Sequence, residues 1–222
     1  MAEMTTEQIQ DELRRGIEFY KELDGQILAF LNRLAEVLED KYELGRLKKP
    51  FAKDLRRSSV VQSYVLLMKP TGAEIESDEV DDDAESEEEE EDEVDTLDLT
   101  FAPDAKLPYV IVQMIGRVPA GAKGSVTTPF IQYGTLAVAG RKDGKELENP
   151  VVMRTGYYSG VFRNRMCNPR SKPPYSHKAH KGGATLIFEE HSTAVQPLGS
   201  IQTESDIEQL AKKVAETIGV QG

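Results

Sequence analysis

Residues 96–115 read TLDLTFAPDAKLPYVIVQMI, and this one stretch holds two strands with no helix between them. Leu97, Leu99 and Phe101 point to one side of an extended chain, and Thr96, Asp98 and Thr100 point to the other. That alternation belongs to a strand with one face buried and one in water. Tyr109 to Ile115 is almost wholly apolar, as expected of a central strand. Strands joined by short connections imply an antiparallel sheet.

Working outward, Val60 to Met68, Val126 to Ala139, Pro150 to Phe162 and Ala184 to Gln196 have the same β-branched and aromatic composition. Gly156 and Gly160 suggest curvature or a bulge in the strand predicted over 150–162. An Asp-Gly pair at 143–144 marks a turn. At the ends of the chain the apolar period changes to that of helices. Tyr20, Leu23, Ile27, Phe30, Leu34 and Val37 recur at steps of three and four within a helix predicted over 5–43, with a break near Gly16 and a stop at Gly45. A second helix is predicted over 205–219, opened by a Ser205/Glu208 capping box and closed by Gly219. The fold class is α+β: an antiparallel sheet of about six strands, curled or OB-like, between a long N-terminal and a C-terminal helix.

Four regions follow: the helix in 1–44, a basic connector and first strand in 45–72, an acidic loop in 73–95, and the remaining sheet and helix in 96–222. The acidic stretch is the strongest compositional feature. Residues 74–98 hold seventeen of the 39 Asp and Glu and no Lys, Arg or His. The rest of the chain sets 22 acids against 27 Lys and Arg, so a net charge of −12 conceals a mildly basic body. So charged a segment buries too little apolar surface to offset the entropy of ordering, which predicts disorder.

Two basic stretches can oppose it. The first, 45–57, carries Lys48, Lys49, Lys53, Arg56 and Arg57 around Phe51. The second, the predicted loop 163–183, carries Arg163, Arg165, Arg170, Lys172, Lys178 and Lys181 beside Tyr157, Tyr158 and Tyr175. Cations meet phosphates and aromatic faces stack on unpaired bases, so this mixture suits single-stranded nucleic acid or another polyanion. A solvated loop whose charge keeps the fold soluble is the plainer reading of the same residues. Cys167, His177, His180 and His191 are weak candidates for a metal, since their spacing is that of no zinc finger. The segment GRVPAGAKGS at 116–125 is not a phosphate-binding P-loop, because Gly124 separates Lys from Ser and the sequence beyond is β-like.

No nucleophile elbow or paired-carboxylate spacing picks out a catalytic group, so the expectation leans away from an enzyme and requires no cofactor. A single cysteine forms no intramolecular disulfide, the first residues lack a signal-peptide pattern, and no run of apolar residues is long enough to span a membrane. These features suggest a cytoplasmic protein. The expected function is single-stranded DNA or other nucleic-acid binding, with the acidic loop competing for the basic residues. The alternative is an adaptor that self-associates into a homo-oligomer through the N-terminal helix and recruits a basic protein through the acidic loop.

Overall fold

The computed structural model describes residues 6–54, 61–70, 72–76, 97–114, 129–167 and 172–220. Helix α1 (Thr6–Tyr42) precedes strands β1 (Phe51–Asp54), β2 (Val61–Leu67), β3 (Glu74–Glu76), β4 (Asp98–Phe101), β5 (Leu107–Gln113), β6 (Phe130–Arg141) and β7 (Val151–Arg154). A short helix α2 (Thr155–Val161), a wide turn (Phe162–Met166), strands β8 (Tyr175–Lys178) and β9 (Thr185–Pro197), and helix α3 (Glu204–Ile218) complete the chain.

Six strands form one antiparallel sheet in the order β1-β2-β5-β6-β9-β8, and β3-β4-β7 form a second. The large sheet is curled but open: β1 and β8 are its edges and do not pair with each other. Register shifts in the long β6–β9 pair, at Thr135/Leu136 and Val138/Gly140, bend it, as bulges do. This is the expected class, as a half-barrel and not a closed OB barrel.

Both faces of the central strands are covered. Val65, Leu67, Tyr109 and Ile111 enter a core shared with the small sheet and α2. Tyr64, Leu66, Val110 and Val112 enter the opposite core, beneath α1 and α3. Period-two alternation within each strand sorts its side chains between the two layers. On the helical side Leu31, Leu34 and Leu38 are fully buried, and each contributes about 2–3 kcal/mol of transfer free energy. Arg33–Glu204 and Lys41–Glu208 pair across the two helices at 2.6 and 2.9 Å, but these partners are about half exposed and add little.

Several local expectations are corrected. Pro150 to Phe162 is not one strand: β7 ends at Arg154, and Tyr158, Val161 and Phe162 bury one face of α2 and the turn after it. Helical spacing of three large apolar side chains outweighs the β preference of Tyr and Val once a core lies beneath them. The stretch 163–183 is likewise not all loop, since it holds most of the wide turn and edge strand β8. Helix α1 runs through Gly16 without a break. It ends on Glu43, at φ 55°, not on Gly45, and the Leu44 N–H donates to Leu38 O at 3.2 Å. Helix α3 is capped two residues earlier than expected, by Thr203 and Asp206.

Glu74–Glu76, at the head of the acidic stretch, forms β3 and pairs with β4 in the register Glu76↔Asp98. The two strands that bound the acidic stretch are thus partners in one hairpin. The disorder expected between them concerns residues outside those described, as does the sequence 116–125.

Candidate nucleic-acid interface

The described parts of the two basic stretches lie on opposite edges of the large sheet. Lys48 and Lys49 precede β1, where the Lys48 ammonium stands 4.9 Å from the centre of the Phe51 ring. Arg56, Arg57 and Arg170 lie outside the described residues, as do the side chains of Lys53 and Arg163. At the other edge Arg165, Lys172, Lys178 and Lys181 are all exposed, on the wide turn and around β8. Four strands separate the two groups.

The three tyrosines divide by burial. Tyr158 is 0% and Tyr175 7% exposed, so their rings belong to the core and present no free face to a base. Tyr158 packs edge-on against Phe162 at 5.4 Å, and Phe162 lies 5.5 Å from Tyr109. Tyr157 is half-buried and meets the His177 ring edge-to-face at 6.1 Å. Burial holds the His177 imidazole below its ordinary pKa, and the nearby Arg165 charge adds to this. The ring is therefore mostly neutral at pH 7. The α2–β8 edge thus offers one aromatic pair, Tyr157/His177, flanked by exposed cations.

The acidic stretch is rooted beside this edge. The Thr155 N–H and hydroxyl both donate to Leu97 O, at 2.9 and 3.2 Å. Asp98 lies opposite Arg154 in the β4–β7 register, with 3.7 Å between their charged groups. The Arg154 N–H in turn donates to Ala179 O, in the turn between β8 and β9, at 3.1 Å. A chain of adjacent contacts therefore runs from the end of the acidic stretch, through the start of α2, to the basic edge.

Sequence reasoning did not find a polar network on the inner face of the sheet. Gln132 Nε2 donates to the Tyr109 hydroxyl at 3.1 Å, and that hydroxyl bonds to Thr193 Oγ1 at 3.2 Å. Thr193 donates to Glu190 Oε2 at 3.4 Å, and the Tyr175 hydroxyl donates to Glu190 Oε1 at 3.0 Å. Burial pushes both phenols well above their ordinary pKa, and the Glu190 charge adds to this. A β-bulge and three strand pairings, β5–β6, β6–β9 and β8–β9, assemble the group, and none of them can be read from local sequence.

The weak metal candidates are not brought together. Cys167 is buried at the end of the wide turn, while His180 and His191 are exposed. His177 and His180 turn Nδ1 toward the carbonyls of Lys178 and Lys181. Among the described residues no group of three or more His, Cys, Asp and Glu is arranged to hold a metal ion. No helix among them is long and apolar enough to cross a membrane. Compared with protein-family models, curated proteins and solved structures, the chain matches none.

Proposed function

We propose that this is a non-enzymatic binding protein for single-stranded nucleic acid or a comparable polyanion, and that the α2–β8 edge is its contact surface. Arg165, Lys172, Lys178 and Lys181 supply phosphate contacts, and Tyr157 with His177 supplies ring surface for an unpaired base. The acidic stretch is an internal competitor for that surface. The observation that carries this reading is the route Leu97–Thr155, Asp98–Arg154, Arg154–Ala179, which anchors the end of the polyanionic segment beside the basic edge. A segment tethered there has a high effective concentration and suppresses weak phosphate binding more than tight binding.

The test compares the intact chain with one in which residues 77–96 are replaced by a short Gly-Ser linker. Binding of labelled oligonucleotides is measured at two salt concentrations. The shortened chain is expected to bind on the order of tenfold tighter at low salt, with the difference shrinking as salt screens both interactions. No binding by either chain at low salt would sink the proposal.

A second reading is self-association through α1. It draws on the outer part of the helix, where Gln10, Asp11, Glu12, Arg14, Arg15, Glu18, Lys21 and Glu22 are exposed and Phe19 is 61% exposed. Sedimentation showing only monomer at high concentration removes it.

A further inference from the structure

We propose that Glu190 reads base identity: its carboxylate accepts a hydrogen bond from the exocyclic amino group of an unpaired base, so that cytosine is preferred over thymine. The inference rests on the single-strand-binding reading above and adds a base preference to it.

Donor bookkeeping sets the direction of the network. Gln132 donates to the Tyr109 oxygen, and Thr193 spends its own hydrogen on Glu190, so the bond between Tyr109 and Thr193 uses the phenol hydrogen. Tyr175 spends its hydrogen on Glu190 as well. Every hydroxyl hydrogen in the group is committed, and all of them lead toward one carboxylate. An ionised carboxylate has about four acceptor positions, and Tyr175 and Thr193 occupy one on each oxygen. Among the described residues no cation pairs with Glu190, which is half-buried. What the group offers a ligand is acceptor capacity alone.

Its place fits the proposed interface. Tyr175 lies opposite Phe188 and His177 opposite Leu186, so Glu190 is two residues along β9 from the partner of Tyr175 and four from the partner of His177. At roughly 3.4 Å per residue, Glu190 stands about 14 Å along the strand from the Tyr157/His177 ring pair. One single-stranded segment lying along β8 can meet both. Cytosine presents the N4 amino donor that an acidic side chain accepts. Thymine presents the O4 acceptor at the same position, which leaves two acceptors facing each other.

The experiment measures binding of the full chain, at low salt and neutral pH, to oligo-dC, to oligo-dT, and to an oligo-dC whose N4 amino groups are dimethylated. Oligo-dC is expected to bind about tenfold tighter than oligo-dT, and dimethylation should abolish the advantage. Glu190→Gln, checked for an unchanged melting profile, should bring the dC/dT ratio to one or below while binding persists. The modified ligand keeps the test decisive even if that variant folds poorly. Equal binding of dC and dT by the natural chain overturns the proposal, as does a preference that survives dimethylation. Absence of binding to every oligomer instead overturns the single-strand reading beneath it.

Discussion

Tyr109 and Thr193 hydrogen-bond at 3.2 Å across Gly134, the residue that pairs with Tyr109 on β5 and with Thr193 on β9. The phenol bridges from one strand to the next but one over a position with no side chain. A Cβ at Gly134 would overlap the backbone carbonyl of Ser192, so the space is closed by backbone and not by a movable group. Gly134→Ala is therefore expected to destabilise by about 2–3 kcal/mol and to weaken the bend of the β6–β9 pair, because a packed sheet cannot absorb the overlap. Denaturant titration measures the loss, and a change under about 0.5 kcal/mol would contradict it.

Two tyrosines predict opposite outcomes for the same substitution. Tyr109→Phe removes an oxygen that partners both Gln132 and Thr193, and should cost about 1–3 kcal/mol. Tyr158 is fully buried, and among the described residues its hydroxyl has no partner. Tyr158→Phe should be neutral or stabilising by up to about 1 kcal/mol, since the desolvation cost disappears and no bond is lost. Parallel urea unfolding of the two variants checks the contrast.

The cap of α3 predicts an acid dependence. The Asp206 carboxylate is held below its usual range by the Gln202 N–H, and by the Thr203 hydroxyl and N–H. A depressed pKa in the folded state contributes stability that is present above the unfolded value, near 4, and lost as pH falls through the folded one. Asp206→Asn should flatten the stability profile below about pH 4 and leave the slope near neutrality unchanged. Thr203→Ala should cost about 1 kcal/mol and Ser205→Ala almost nothing, because Thr203, not Ser205, accepts from the Asp206 N–H. Melting curves from pH 3 to 7 test all three.

The end of α1 can be improved. Glu43 adopts φ 55°, a conformation that a side-chain-bearing residue enters at a cost of about 1 kcal/mol. Glu43→Gly should raise stability by up to about 1 kcal/mol, whereas Gly219→Ala, at φ 87° after α3, should lower it by a similar amount. Thermal midpoints moving in the same direction for both variants would refute this account.

The amino-acid sequence alone determined whatever depends on period and composition. The alternation Leu97, Leu99, Phe101 and the apolar run from Tyr109 mark β4 and β5, and both are strands in antiparallel sheets. Leu34 and Leu38 lie in the long helix, and both are fully buried. The segregation of seventeen acids into 74–98 is likewise a property of the sequence. The tertiary structure decided what depends on distance along the chain. It turned Tyr158 inward and left Tyr157 beside His177, although the two tyrosines are adjacent in a composition that reads as strand. It set the described parts of the two basic stretches on opposite edges and joined the end of the acidic stretch, at Leu97 and Asp98, to the start of α2. It also gathered Gln132, Tyr109, Thr193, Glu190 and Tyr175 from four strands into one network. The reason is physical: hydrophobic period is a local signal carried by each segment, whereas register, bulges and the order of strands follow from how distant segments share one core.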